Sequence, residues 1–344
     1  MPTSTVVESR RRRLGAALAL VVVTVLAGCQ ANPPDRRAQV EELTQQIRGM
    51  PGVVGATGST ADNVAQGRVF FELDVDVADT VTGDQLAAIT SRYLQHLRSI
   101  DYRGYQTEFD ARSGWSLFGI DNNDGAITNG DQIIAQARDW VAIRHQFGGS
   151  TVRLHATVSH GTDPRANRDG GHPSGGAINL PDNTDYTAVT ATVTTLSAKF
   201  GDLAAGNWTV SASKQHPADI NTAKRFPNPA ELDVWNKLNA DQSVPHIDAL
   251  TINGLTTGPV WVSEQTTTRD VGVALALAGR HLPMVATLPP PVLYTASDQL
   301  QGHLNYYGQV TAPVAVTVGG CIARTYRPSP DEQQLINAYQ KCRR

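Results

Sequence analysis

Cysteine is scarce in this chain, with three residues among 344, at positions 29, 321 and 342. The spacing Cys-x-x-Cys does not occur, which argues against a thioredoxin-like redox motif. The sequence also lacks a Gly-x-Ser-x-Gly nucleophile elbow, a Walker phosphate loop and a dinucleotide-binding glycine fingerprint. We therefore expect no catalytic site, no cofactor and no metal.

Lysine is scarce as well, while arginine is plentiful, a bias that is typical of genomes with high GC content. The lysines are Lys199, Lys214, Lys224, Lys237 and Lys341. Residues 1–28 hold four arginines and one glutamate, so the rest of the chain carries 25 basic and 31 acidic residues. This acidic excess argues against a nucleic-acid partner and against binding to anionic lipid. The 40% apolar content is that of an ordinary folded chain.

The N-terminus has the organisation of an export signal. Four arginines, Arg10 to Arg13, precede an apolar stretch from Leu14 to Leu26, and Ala27, Gly28 and Cys29 follow. The apolar stretch is too short to span a bilayer of about 30 Å. An ordinary secretory leader with an accidental cysteine is the alternative interpretation.

The run Leu26-Ala27-Gly28-Cys29 resembles the lipobox of a bacterial lipoprotein, and the arginine-rich composition is similar to that of actinobacterial, including mycobacterial, envelope lipoproteins. The resemblance implies that residues 1–28 are removed and that Cys29 carries diacylglycerol and palmitate. It also implies a lipid anchor on the extracytoplasmic face of the cell membrane. Residues 29–38 are polar and are expected to form a tether, which reaches about 30 Å at full extension.

Two cysteines remain after lipidation, Cys321 and Cys342, and in an exported chain we expect them to form a disulfide. The bridge would attach the last predicted helix, residues 330–341, to the last predicted strand.

Hydrophobic periodicity predicts alternating helices and strands. Residues 69–77 alternate apolar and polar side chains, as in a strand with one buried face, and Thr82-x-x-Gln85 resembles a capping box that begins a helix. Similar rounds recur twice. We predict an α+β fold of repeated two-layer α/β sandwich modules, with antiparallel or mixed sheets and helices on one face. The predicted modules are 39–112, 129–214 and 228–344.

The order of elements resembles the small αββαβ domains of the BON type, in which Pro51-Gly52-Val53 matches the residues that follow the first helix. The alternative is that helices and strands recur here as they do in any α+β protein.

Three segments suggest chemistry. The loop His160–His172 holds two histidines and two aspartates, and we interpret it as a solvated loop because the histidine spacing matches no closed metal site. Residues 121–127 resemble a calcium loop but lack the first and last carboxylates, which favours a turn. Ser211-x-x-Lys214 has the spacing of penicillin-binding enzymes, but Ser211 lies in a predicted strand.

Glu72, Asp74 and Asp76 follow one face of a predicted strand, where they either keep the face soluble or bind a cation or a basic partner. The main hypothesis is a non-enzymatic binding or scaffolding lipoprotein with a protein, lipid or glycan partner in the envelope. One alternative is an exported hydrolase in which His155, His160 or His172 acts as base or ligand. A second alternative is a lipid or small-ligand carrier, which requires an apolar cavity.

Overall fold

The structure is a computed structural model that describes residues 33–64, 67–123, 125–161, 175–254, 258–299, 303–304, 310–321 and 326–342. The leader and Cys29 lie outside the described residues, as do His172 and most of the predicted loop 160–172. No helix within these ranges is long and apolar enough to cross a membrane.

Seven α-helices occur in the described part of the chain. They are α1 (Arg37–Arg48), α2 (Gly83–Ser99), α3 (Gly130–Gln146), α4 (Tyr186–Lys199), α5 (Pro229–Ala240), α6 (Val271–Val285) and α7 (Pro330–Tyr339). A 3₁₀ turn covers Gly201–Ala205. The first seven strands are β1 (Val53–Asn63), β2 (Arg68–Val77), β3 (Gln106–Ser113), β4 (Ser116–Asn123), β5 (Thr151–His155), β6 (Gly175–Asn179) and β7 (Asn207–Ser211). The others are β8 (Ala218–Ala223), β9 (His246–Ile252), β10 (Val260–Thr266), β11 (Val292–Ser297), β12 (His303–Leu304), β13 (Val310–Thr311) and β14 (Val314–Val318).

Local sequence explains where helices begin. At α2, the Thr82 hydroxyl accepts the Gln85 backbone N–H at 3.2 Å and the Gln85 side chain accepts the Thr82 N–H, which completes the predicted capping box. Asn228 and Glu231 form the same motif at α5. At α3 the side chain of Asn129 instead bonds backbone groups of Thr157 and Ser159, so it joins the helix start to the chain that leaves β5.

All but two of the described strands form one mixed sheet. Twelve strands lie side by side in the order β1 to β11 followed by β14, and β12 pairs with β13 separately. Antiparallel and parallel neighbours alternate throughout, because each antiparallel pair is joined to the next by a helix. The described residues thus form six successive helix–strand–strand units, which begin at α1, α2, α3, α4, α5 and α6.

The predicted α+β class with a mixed sheet is confirmed, but the strands join in one continuous sheet and the repeating unit is about half of a predicted module. Strand β4 pairs with β3 although it begins beyond residue 112, and β8 pairs with β7 beyond residue 214. The first two predicted modules therefore each cover most of two units, and the third covers two whole units. The boundaries at residues 112 and 214 separate the two strands of a hairpin. They do so because β4 and β8 carry too few alternating apolar residues to be recognised as strands from the sequence.

The main core lies between the helices and one face of the sheet, and its largest buried side chains include Trp140, Trp208 and Trp235. The opposite face of β1 to β8 is mostly polar, whereas the last strands are buried on both sides. There Trp261, Leu293, Ala312 and Ala315 form a second apolar cluster.

The predicted disulfide is confirmed. Cys321 and Cys342 are joined with an S–S distance of 2.01 Å and a Cα–Cα distance of 4.9 Å. Two backbone hydrogen bonds support this bridge, because Gly319 donates to Tyr339 and Lys341 donates to Gly320. The end of α7 is thereby held against the end of β14.

Candidate functional site

The predicted row of acidic residues on β2 belongs to a larger acidic surface, on the sheet face that the helices leave open. Six carboxylates lie on three neighbouring strands of this face, and we call this region the acidic face: Glu72, Asp74 and Asp76 on β2, Glu108 and Asp110 on β3, and Asp121 on β4. The register explains their proximity. Glu72 pairs with Glu108, and Glu108 pairs with Asp121, so like charges lie directly opposite one another across two strand boundaries.

Arginines offset part of this negative charge. Arg112 contacts Asp110 at 2.7 Å and Asp74 at 2.9 Å, and Arg68 and Arg153 lie on the same face. Burial raises the pKa of Asp74, and Arg112 offsets this only in part. Burial, followed by the charge of Asp110, also raises the pKa of Glu108. The acidic face holds six carboxyl groups and three guanidinium groups, so carboxyl groups are in excess.

His155, proposed above as a base or ligand, lies at the rim of the acidic face. Its Nδ1 is 3.6 Å from Asp121 Oδ2, and its partner in the β4–β5 register is Gly119. A Cβ atom at Gly119 would lie 2.9 Å from His155 Nδ1 and 3.2 Å from Asp110 Oδ1. Glycine at this position therefore makes room for the imidazole beside two carboxylates.

The other residues singled out from the sequence lie apart. His160 forms an isolated bridge with Ile127, and its imidazole packs against Gly125. Asn122 lies in β4 and donates to the Gly125 carbonyl at 3.3 Å, so the segment resembling a calcium loop is partly strand. Ser211 ends β7, and Lys214 lies in the turn beyond it.

One surface cleft bears on the carrier hypothesis. The cleft has a volume of about 750 Å³ and lies between the end of α2 and the chain that follows β4. Its lining is apolar at Leu97, Ile100 and Ile127 and charged at Arg98 and Arg103. Carriage of a lipid or small ligand stays a prediction.

A second cluster of ionisable residues lies on the helix side of the sheet, among its last strands. None of these residues was predicted as a site from the sequence. We call it the buried cluster: His246 and Asp248 on β9, Glu264 on β10 and His281 on α6. All four side chains have zero relative exposure. Asp248 and Glu264 are direct partners in the antiparallel register, and the rings of His246 and His281 are 5.1 Å apart between centroids.

Hydrogen bonds within the buried cluster and one longer polar contact connect it to the surface. Tyr294 donates its hydroxyl to Glu264 Oε2, and the other carboxylate oxygen of Glu264 is 2.6 Å from His281 Nδ1. On its far side, His281 Nε2 is 3.6 Å from Asp241 Oδ2. Asp241 is 22% exposed and accepts hydrogen bonds from Arg280. Polar groups therefore extend from a fully buried tyrosine to solvent.

Burial dominates the electrostatics of the buried cluster. It raises the pKa of Asp248 and of Glu264, and the charge of Asp248 adds to the rise at Glu264. Burial, followed by the charge of His246, lowers the pKa of His281. At His246 burial also acts to lower the pKa, but the neighbouring Asp248 outweighs it and raises the pKa to about 9. Such a concentration of shifted groups is typical of functional sites.

The sequence contains one signal for this cluster. His246 and Asp248 are two residues apart in a strand, so both side chains must lie on one face. The contributions of Glu264 and His281 depend on the β9–β10 register and on the rotation of α6, which no short motif encodes.

Comparisons of the chain with protein-family models, with curated proteins and with solved structures find no match.

Proposed function

We propose that this chain is a lipid-anchored lipoprotein of the cell envelope that acts outside the cytoplasm as a non-enzymatic binding or scaffolding protein. Its anchor is Cys29, in the run Leu26-Ala27-Gly28-Cys29. Its binding surface is the acidic face, and its partner is a protein segment rich in lysine and arginine. The observation that carries the choice of surface is the register that sets carboxylates side by side on three neighbouring strands.

The two faces of the sheet differ in a way that supports this choice. On the helix side, strands β2 to β4 bury Phe71, Leu73, Phe109, Phe118 and Ile120. On the other side, Asp74 keeps 49% and Asp121 keeps 59% of its side-chain exposure. Like charges that lie opposite one another cost stability, so their concentration on an uncovered face favours a role in binding.

A basic partner fits this surface because its cations would lower the mutual repulsion of Glu72, Glu108 and Asp121. Such binding depends on charge, and it should weaken as salt screens interactions beyond about 10 Å at 0.1 M ionic strength. The described part of the chain begins at residue 33, so the few residues between Cys29 and this point would hold the folded part close to the membrane.

The anchor is tested by fractionation of cells that express the full chain. Cys29→Ala should move the protein from the membrane to the soluble fraction, because acyl chains contribute about 0.8 kcal/mol for each buried methylene. Asn32→Ala, in the same polar stretch, is the control and should stay in the membrane. Membrane retention of both variants would contradict the anchor.

The surface is tested by neutralising charge without changing shape. The triple variant Asp74→Asn, Asp76→Asn, Glu108→Gln should lose salt-sensitive crosslinks to a protein partner in native membranes. A control with the same change in net charge is Glu41→Gln, Asp131→Asn, Asp233→Asn, whose exposed residues lie on helices. Equal crosslinking by both variants would contradict the proposed surface.

A further inference from the structure

We propose that the buried cluster, in which two histidines and two carboxylates meet between β9, β10 and α6, is a binding site for one divalent transition-metal ion with the ligand preference of zinc.

The first argument is convergence. One ligand atom each from His246, Glu264 and His281 lies within 4.8 Å of the other two, and all three residues are buried. Asp248 extends the set, because its Oδ2 is 3.3 Å from His246 Nε2. These residues come from three different elements, so the packing of α6 on the sheet brings them together. His246, Asp248 and His281 supply the ligand atoms, and Glu264 orients the ring of His281.

The second argument is a group of buried polar atoms without hydrogen-bond partners. Among the described residues, His246 Nε2, His281 Nε2 and both carboxylate oxygens of Asp248 have no hydrogen-bond partner. A buried polar atom without a partner costs free energy, and a buried carboxylate costs more than a neutral group. Two imidazole nitrogens and a carboxylate are the atoms that a transition-metal ion binds directly. A bound cation would therefore satisfy all of these atoms together.

The third argument is the hydrogen bonding of the other ring nitrogens. His246 Nδ1 is 2.6 Å from the Val244 carbonyl oxygen, which only accepts, so Nδ1 carries the proton and Nε2 keeps its lone pair in the neutral ring. His281 Nδ1 is 2.6 Å from Glu264, whose other oxygen accepts from Tyr294. Metal-binding histidines typically make such a bond from the second nitrogen to a carbonyl or carboxylate, which orients the ring.

Ligand chemistry and charge narrow the choice of ion. Imidazole suits zinc and its neighbours in the first transition series, whereas calcium and magnesium prefer sites built wholly from oxygen. Asp248 and Glu264 bring two carboxyl groups into a fully buried space, and a divalent cation beside them would compensate the charge of their ionised forms.

An ion has a short route from the surface. His246 borders a surface cavity of about 360 Å³ that is also lined by His216, Asn239 and Gln242. On the other side of the cluster, the partly exposed Asp241 lies beside His281.

The test is metal binding by the full-length chain, purified in detergent without a histidine tag and treated with a chelator. Titration with Co²⁺ should give visible absorption bands of bound cobalt that saturate at one equivalent, and Zn²⁺ should displace them. The thermal midpoint should rise with Zn²⁺, because an ion that binds only the folded state stabilises it. A wild-type chain that shows neither bands nor a rise in midpoint would overturn the proposal.

Variants locate the ion. His281→Gln and Asp248→Asn should lose the bands and the rise in midpoint, while His145→Gln, at an exposed position, should keep both. Tyr294→Phe keeps the ring in the core and removes only the hydroxyl that orients Glu264. It should weaken Zn²⁺ binding by about tenfold, which distinguishes loss of a site from loss of the fold. Equal binding by the His281→Gln and His145→Gln variants would place the ion elsewhere and overturn the proposal.

Discussion

Asp248 and Glu264 lie directly opposite each other on β9 and β10, and both carboxyl groups are completely buried. Glu264 accepts the Tyr294 hydroxyl and contacts His281, whereas Asp248 has no hydrogen-bond partner among the described residues. The two carboxyl groups therefore have different hydrogen-bond partners, although they face each other across neighbouring strands.

This difference predicts the effect of two substitutions measured with chelator present. Glu264→Ala should lower the free energy of unfolding by about 3–5 kcal/mol, because it leaves Tyr294 and His281 without their common partner. Glu264→Gln should change it by less than about 1 kcal/mol, since an amide of the same shape can bond to both neighbours without a charge. Urea unfolding measures both values, and equal losses would contradict the role assigned to the Glu264 hydrogen bonds.

A tight contact between neighbouring strands predicts a second effect. Gly176 on β6 pairs with Trp208 on β7, and a Cβ atom at Gly176 would lie 2.5 Å from the indole ring. The ring is held by its N–H bond to the Leu203 carbonyl at 2.9 Å. Gly176→Ala should therefore cost about 1–3 kcal/mol in urea unfolding.

The adjacent glycine is the control for that measurement. A Cβ atom at Gly175 would meet nothing within 4 Å, so Gly175→Ala should change stability by no more than about 0.5 kcal/mol. If both alanine variants are equally stable, Trp208 is not held as rigidly as the structure implies.

The cap of α4 predicts a dependence on pH. Asp185 accepts hydrogen bonds from the hydroxyl and the backbone N–H of Thr187, and these lower its pKa below the usual 3.8. A carboxyl with a lowered pKa stabilises the folded state above its unfolded pKa, and this contribution is lost as the pH falls through the folded pKa.

The measurement is unfolding of Asp185→Ala and the wild type from neutral pH to pH 3. The variant should lose about 1 kcal/mol at neutral pH, and the difference should shrink below about pH 4. Asp182→Ala, which removes an exposed carboxylate three residues earlier, should show little loss at any pH. A difference that does not change with pH would contradict the cap.

The disulfide predicts the last stability effect. Cys321 and Cys342 are 21 residues apart, so the double variant Cys321→Ser, Cys342→Ser should lose about 3 kcal/mol of unfolding free energy. The loss should be accompanied by faster amide exchange in α7, which the bridge holds against β14. Unchanged exchange in α7 would mean that the buried Glu332, which bonds Ala315 and Tyr326, holds the helix without the bridge.

How far the fold was predictable depended on each strand's own pattern. Strand β2 alternates Phe71, Leu73, Val75 and Val77 inward, and this period of two is visible in the sequence. Strand β1 carries glycine, serine and threonine where other strands have large apolar residues, because α1 packs closely there and leaves little room at Gly58. Its identity as a strand depends on pairing with β2.

The candidate sites were predictable to different degrees for a related reason. The acidic residues of β2 are visible because they share one strand, but Glu108, Asp110 and Asp121 join them only through the register of three strands. In the buried cluster, Glu264 and His281 are 17 residues apart and contact each other because α6 turns back over β10. Contacts of this kind arise from tertiary packing.

Site-specific photocrosslinking in intact cells tests the central claim most directly. A photoreactive amino acid replaces Thr57, which is exposed on the open face of β1 opposite Asp74, or Gln95, which is exposed on α2. We predict crosslinks to a lysine- and arginine-rich protein from position 57, and their loss at high salt and in the Asp74, Asp76, Glu108 triple variant. Crosslinks from position 95 alone, or from position 57 without any dependence on salt or on these carboxylates, would contradict the account.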